Sequence, residues 1–264
     1  MDQWRGQWAL ITGASAGIGK AFAEVLAGGG TNLVLTARRR ERLDSLAKSL
    51  SSAHAIRAEV CSADLADPGG PEQVFAFTAE RSIEISLLIN NAGFGAYGEF
   101  ADIALERLLQ MVQVNCSAVI HLTRLFLPKM MARRKGDILI VASTAAFQAV
   151  PYISTYAATK GFDLLFAEGL AEEVREHGVR VCGLCPGSTI SEFHEVAGQT
   201  RFLDRHRQES AEKVARTGLA ALLAGKSYVI SGTRNYLGAH LQRLVPRRLV
   251  SQIAAGMFRP SKRR

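Results

Sequence analysis

The chain has 264 residues, 48% of them hydrophobic, and a formal charge of +8. That length and apolar content fit one α/β domain with a large core. No segment pairs a basic stretch with the apolar region of a secretory signal, and no transmembrane helix is expected, so the chain should be cytoplasmic or at most peripheral to a membrane.

The first strand reading is WALIT (8–12). Gly13, Gly17 and Gly19 follow at once, and Ala21, Phe22, Val25 and Leu26 then repeat at helical spacing. A glycine-rich turn from strand into helix lets backbone N–H groups approach a pyrophosphate, with the positive helix end behind them. The spacing is T-G-x-x-x-G-I-G rather than the more widespread G-x-G-x-x-G.

The second strand reading, NLVLTA (32–37), ends without the acidic residue that would select NAD through the ribose hydroxyls. Arg38 and Arg39 follow instead. A guanidinium there suits the dianionic 2′-phosphate of NADP in charge and fork geometry. Two cations at a helix start oppose the macrodipole, which a bound phosphate would offset. Arg38 is placed as the direct contact, with Arg39 beside it.

Further strand readings are AIRAEV (55–60), SLLIN (86–90), DILIVAS (137–143), VRVCGLC (179–185) and SYVIS (227–231). Helices are expected to begin near Ala16, Arg40, Gly70, Leu105, Thr155 and Ser210. Strands and helices alternate, so the sheet should be parallel and doubly wound. Apolar runs without alternation fit strands buried on both faces. Helices 105–133 and 155–177 carry apolar residues on more than one face. Cys182 and Cys185 form a C-x-x-C without a second pair or nearby histidines, which reads as buried free thiols rather than a metal or redox site.

Tyr156 and Lys160 are four apart and share one helix face, with Ser143 thirteen residues upstream of the tyrosine. A phenol ordinarily titrates near pH ~10. A neighbouring cation favours the phenolate and lowers that value, which would make the pair an acid/base group usable near neutral pH. The Ser143 hydroxyl could hold a carbonyl oxygen.

The charge is uneven. From Lys213 to Arg264 there are eleven Lys or Arg and no Asp or Glu, which leaves the first 212 residues at a net −3. So one-sided an excess is a solvated basic face or a site for an anionic partner, such as a lipid surface, an acidic carrier protein or, less readily, a nucleic acid. Within this tail, Leu237, Leu241, Leu244 and Val245 form one apolar stripe, and Leu249, Val250, Ile253 and Met257 form another after Pro246. Arg243, Arg247 and Arg248 interleave them. The stripes fit a helix pair packed over the cleft or a partner subunit, or a basic amphipathic surface that touches a membrane.

These motifs together resemble the short-chain dehydrogenase/reductase family over about residues 6 to 194. The matching motifs are Thr12-Gly13-Ala14-Ser15-Ala16-Gly17-Ile18-Gly19, Asp64 in SADL, Asn90-Asn91-Ala92-Gly93, Asn115 in QVNCSA, Ser143, Tyr156 with Lys160, and Pro186-Gly187. The resemblance implies a single Rossmann domain, core about 6–231 and helical extension about 232–264, with a seven-stranded parallel sheet. It also implies NADP(H) held by Gly13, Ser15, Gly17, Ile18, Gly19, Arg38, Arg39, Asp64, Asn91, Ala92, Gly93, Tyr156, Lys160, Pro186 and Gly187, and no metal. Asp64 would receive the adenine amino group. The implied catalytic tetrad is Asn115, Ser143, Tyr156 and Lys160. Tyr156 would donate the proton, Lys160 would lower its pKa and hold the nicotinamide ribose, Ser143 would polarise the carbonyl, and Asn115 would help hold a water linking Lys160 to solvent.

In the family the two apolar helices pair across a dimer axis, so a homodimer is expected. The glycine-rich last strand that builds a tetramer's second axis is absent. Phe94, Phe147, Val150, Tyr152, Ile190 and Phe193 fall on loops that reach the cleft in the family and imply a small apolar carbonyl substrate, a ketone or an oxoacyl chain, with Phe193 alternatively packing under loop 188–208. A reductase of 3-oxoacyl groups on CoA or a carrier protein is the alternative, with Arg133, Arg134 and Lys135 as its cue for an acidic carrier. A non-catalytic binding protein on the same fold is the remaining class, and the intact tyrosine and lysine speak against it.

Overall fold

The structure, a computed structural model, describes residues 2–190, 192, 197–198 and 208–260. Seven strands form one sheet in the order β3-β2-β1-β4-β5-β6-β7. They are β1 (Trp8–Thr12), β2 (Asn32–Ala37), β3 (Ala58–Ser62), β4 (Ile85–Asn90), β5 (Gly136–Val141), β6 (Val179–Cys185) and β7 (Tyr228–Ile230). Every pairing is parallel. The order reverses between β1 and β4, and the crevice beyond their carboxyl ends is where such sheets bind ligands.

Both faces are covered. α1 (Gly17–Gly28), α2 (Arg40–His54) and α7 (Ala211–Leu223) pack on one side through Phe22, Leu26, Leu43, Leu219 and Leu222. On the other side lie α3 (Gly70–Glu80), α4 (Leu105–Val112), α5 (Ala118–Ala132) and α6 (Ser154–Glu173), with Val74, Leu122, Phe126 and Leu170 inward. The central strands are buried along their whole length, as their unbroken apolar runs require.

Three expectations shift. The third strand is Ala58–Ser62, not 55–60, because α2 runs to His54 and ends on Ala55 in the left-handed region (φ 52°). The helix expected over 105–133 is three pieces, since one wide turn, Gln113–Ser117, separates α4 from α5. The helix expected to reach 177 ends at Glu173, and a tight turn, Arg175–His177, leads to Gly178 at φ 70°. The tail forms α8 (Thr233–Leu241), a tight turn over Gln242–Leu244 and α9 (Arg247–Phe258); the second apolar stripe lies on α9, whereas the first runs from α8 through the turn to Val245.

One long-range anchor had no signal in the sequence. Trp4, buried before β1, donates from Nε1 to Asp137 Oδ2 at 2.7 Å, and Arg180 Nε reaches Asp137 Oδ1 at 2.6 Å. A buried carboxylate on β5 is thereby satisfied from β6 and from the chain's start.

Candidate active site

A cleft of about 590 Å³ opens at the carboxyl ends of the strands and is lined by the glycine loop, both arginines after β2, and Ser143, Tyr156 and Lys160. Its floor is tied together by Thr12. The Thr12 hydroxyl oxygen accepts from the backbone N–H groups of Asn91 and Ala92, each at 2.9 Å, while Asn91 Nδ2 donates to the Thr12 carbonyl at 2.8 Å. β1 and β4 are thus locked at the switch point. Gly13 sits at φ 67°, and a Cβ there would meet Ala92 Cα and Asn91 Nδ2 at 2.9 Å. A Cβ on Gly19 would clash with the Gly13 carbonyl oxygen, so the first turn of α1 can close onto the loop only with glycine. Ala16 at the start of α1 makes no side-chain cap. The first-turn N–H groups remain for an anionic ligand.

On the other wall, Arg39 donates from Nη2 to Ser15 Oγ at 3.0 Å, and its Nη1 lies 2.7 Å from Glu192 Oε2. Arg42 Nη1 pairs with the other oxygen of Glu192 at 2.6 Å. Arg42 and Glu192 were not anticipated. The guanidinium hydrogen bonds, Arg42 first and then Arg39, hold the Glu192 carboxyl below its ordinary range. Ile18, Arg38, Asp64, Gly93, Pro186 and Gly187 also line the cleft. Asp64 Oδ1 accepts from Ala66 N at 2.9 Å, which sets the turn after β3. A glycine cradle, an uncapped helix start and a cluster of guanidiniums fit a dinucleotide bearing an extra phosphate.

The wide turn Gln113–Ser117 places Asn115, which is fully buried. Such turns inside helices often mark functional sites. Asn115 Nδ2 donates to the Phe94 carbonyl and to Thr159 Oγ1, both at 3.0 Å, and its Oδ1 accepts from Phe94 N at 3.1 Å. Thr159 in turn donates to the Tyr156 carbonyl at 2.8 Å. Gly93 fits closely here too, since a Cβ would stand 3.2 Å from Asn115 Oδ1 and 3.4 Å from Lys160 Nζ.

Ser143 ends the segment after β5 and accepts from Ala145 N at 3.1 Å. It also hydrogen-bonds the Tyr156 phenol. Lys160 Nζ lies 6.0 Å from the centre of the Tyr156 ring. The phenol is nonetheless pushed above its ordinary value, because burial outweighs the pull of Lys160 and the Ser143 hydrogen bond, and Asp163 adds to the rise. The sequence alone pointed the other way, since it showed the cation but neither the desolvation nor the buried acid.

Of the residues expected to shape the substrate side, Phe94 lines the cleft, with Arg107 stacked over its ring at 4.3 Å. Phe147 instead packs against Tyr228, Val150 is buried beneath Ile153 and Ala157, and Ile190 is exposed. Tyr152, at φ 67°, receives a hydrogen bond from Arg259 at 3.2 Å. Phe193 lies outside the described residues. Ile153, Gln148, Met257 and Phe258 complete the wall, so α9 closes the cleft as one of the two tail readings required. Arg133, Arg134 and Lys135 precede β5, at the end of the sheet away from the cleft. Arg133 is spent on Glu84 and the Ile85 carbonyl, and Arg134 on the Glu176 carbonyl. That removes the cue for an acidic carrier. Cys182 and Cys185 are buried free thiols, the first pushed up to about 12 by burial. No group of metal-ligating side chains occurs among the described residues.

The fold and this cleft define a dinucleotide-dependent oxidoreductase of the Rossmann type. The chain belongs to the short-chain dehydrogenase family, whose model matches residues 7–201. A very-long-chain 3-oxoacyl-CoA reductase-B of Danio rerio is 31% identical over 257 residues, covering 96% of this chain and 80% of the relative. Other relatives of that description are matched over little more than half of their own length, 53% and 57% in two cases. A short-chain dehydrogenase from Sphingobium yanoikuyae, solved in complex with NADPH, superposes with TM-score 0.82 at 28% identity over 98% of both chains. A bulky-bulky ketone specific alcohol dehydrogenase from Comamonas testosteroni does so with TM-score 0.77 at 26% identity, covering 98% of this chain and 96% of that one.

Proposed function

We propose that the protein is an NADPH-dependent reductase of apolar ketones or 3-oxoacyl chains. The observation that carries this reading is the phenol of Tyr156, beside Ser143 and Lys160, in a cleft whose walls include Phe94, Ile153, Met257 and Phe258. Bound NADPH supplies the hydride. Tyr156 gives its proton to the carbonyl oxygen as negative charge develops there. The Ser143 hydroxyl donates to the same oxygen and holds it in place. Lys160 fixes the local positive charge, and Asn115 with Thr159 holds the helix segment that carries both. A phenol raised in pKa is the protonated form that reduction needs.

The relatives named for very-long-chain 3-oxoacyl-CoA support the oxoacyl branch of this reading. NADPH oxidation followed at 340 nm over bulky ketones and a chain-length series of 3-oxoacyl-CoA thioesters tests it. Activity that rises with acyl length supports the oxoacyl branch. Activity confined to compact polar ketones or sugars would overturn the apolar reading.

Two features support contacts beyond the cleft. Leu105, Leu109 and Leu165 leave an exposed apolar face on α4 and α6 that fits a homodimer. On the tail, Leu237, Leu241, Leu244, Leu249 and Ile253 are exposed beside Arg243, Arg247 and Arg248, and that combination fits an anionic lipid surface. Among the described residues no helix is long and apolar enough to cross a membrane.

A further inference from the structure

Asp163 stands one helical turn beyond Lys160 on α6, and its side chain is 1% exposed. Its Oδ2 lies 2.9 Å from Lys160 Nζ. Its Oδ1 is buried with no hydrogen-bond partner among the described residues. A half-satisfied carboxylate in the core is expensive, and a neutral or apolar side chain of similar size would bury at lower cost. Such a group points to a function for its charge.

Lys160 shows what that charge does. An ammonium has three protons in fixed tetrahedral directions. One goes to Asp163, and a second goes to the Val141 carbonyl at the end of β5, at 2.8 Å. With two protons so engaged, the third is left for the cleft that Lys160 lines. Lys160 is itself 6% exposed. Without a counter-ion a buried ammonium would shed its proton or swing toward water.

We infer that Asp163 is a positioning residue of the reaction: it keeps Lys160 charged and aimed into the cleft, and its negative charge balances the ammonium so that the site is electrically neutral while Tyr156 holds its proton. The inference rests on the reading of Tyr156 and Lys160 as the working pair.

Other charged or titratable groups around the pair do not supply this balance. Cys116, from the wide turn before α5, is pushed up to about 12 by burial. Cys185, at the end of β6, is pushed higher still by burial. Both thiols therefore stay neutral. Burial alone would lower Lys160, but the charges of Asp163 and Tyr156 outweigh it and the ammonium ends above its ordinary value. Burial raises Asp163, and Lys160 draws it partly back. The close Nζ–Oδ2 contact makes the ion pair the form near neutrality.

The test is Asp163→Asn, which keeps shape and removes charge. With both Tyr156 and Lys160 protonated, the variant site carries an extra positive charge and sheds its first proton more readily. The proton belongs to the pair as a whole, so the outcome is the same whether the phenol or the ammonium loses it. The alkaline limb of kcat/KM should move to lower pH by about one unit or more. At neutral pH kcat/KM should fall about tenfold.

A second readout needs no cofactor. In a thermal-unfolding cycle of Asp163→Asn, Lys160→Met and the double variant, the double variant should lose less than the two single losses together, because each single change strands a buried polar partner. Additive losses, or an alkaline limb that stays where the wild-type limb lies, would overturn the inference. If Asp163→Asn does not fold, Asp163→Ser carries the same expectation for the alkaline limb. Tyr156→Phe, measured alongside, separates the two levels: substantial turnover without the phenol overturns the catalytic reading itself, whereas an unshifted limb in a tyrosine-dependent enzyme overturns only the role of Asp163.

Discussion

Arg39 and Glu192 are joined at 2.7 Å across the mouth of the cleft, although 153 residues separate them in sequence. The carboxylate sits on two guanidiniums, those of Arg39 and Arg42. It is the kind of bidentate anion that a 2′-phosphate also is. Glu192→Gln should therefore lower the Kd for NADPH several-fold by removing a competing charge, with little effect on NADH. Fluorescence titration of both cofactors measures this. Equal changes for the two would show that Glu192 acts on the cleft generally rather than on the phosphate.

Arg38→Asp should turn cofactor preference toward NADH. The residue follows β2 directly and lines the cleft, where a carboxylate would repel the phosphate and accept from ribose hydroxyls. The ratio of kcat/KM for NADPH to that for NADH should fall about a hundredfold, a scale set by losing one charge-assisted pair and gaining a repulsion. An unchanged ratio would transfer the role to Arg39.

Tyr156→Phe should abolish reduction and leave NADPH affinity within a few-fold of wild type. Only the hydroxyl is lost, and the ring keeps its packing against Ile153 and Ala157. Single-turnover rates and equilibrium binding are the two measurements. Rapid turnover by the folded variant would mean that another group delivers the proton.

The parts legible in the sequence were those whose cause is local. The glycine spacing after WALIT, the arginines after β2 and the i,i+4 pair Tyr156–Lys160 each depend on neighbouring residues, and the structure brings them to one cleft. What escaped depends on packing between distant segments. The wide turn that sets Asn115 cannot be seen in an apolar helical pattern. Asp163 looks like an ordinary helix acid until the sheet is placed over it. The Tyr156 shift follows from burial, which spacing does not report. Arg133 and Arg134 drew attention by charge alone, and the direction of β5 puts them at the wrong end of the sheet.

Asp137 should be a stability residue without a catalytic role. It is buried on β5 and holds Trp4 Nε1 at 2.7 Å and Arg180 Nε at 2.6 Å. Asp137→Ala strands an indole donor and a partly buried guanidinium and should cost about 3 kcal/mol. Trp4→His, which can still donate, should cost less in polar terms but leaves space in the core. Urea denaturation reads both, and kcat of the folded fraction should not change.

The two helices of the tail have different surroundings. α9 gives Met257 and Phe258 to the cleft and turns Leu249 and Ile253 outward. α8 is different, since Ala239 is buried and Asn235 reaches the Ser231 carbonyl at 2.7 Å. A cut after Val245 therefore removes this cleft wall, together with buried Ala254 and the packing of Phe258 on Val150, Ile153 and Ala157, and leaves the sheet and its flanking helices in place. It should leave NADPH affinity intact and reduce kcat/KM for bulky apolar substrates about tenfold or more, the scale of losing a few buried side chains around the substrate. Leu244 is 83% exposed and touches neither cleft nor core, so Leu244→Glu should keep full activity in solution. On vesicles containing anionic lipid, the intact protein should sediment at low salt and release as salt rises, because the attraction of Arg243, Arg247 and Arg248 is screened beyond a Debye length of ~8 Å at physiological ionic strength. Leu244→Glu should weaken that binding. Failure of the intact protein to bind such vesicles at low salt would leave the tail as a wall of the cleft alone.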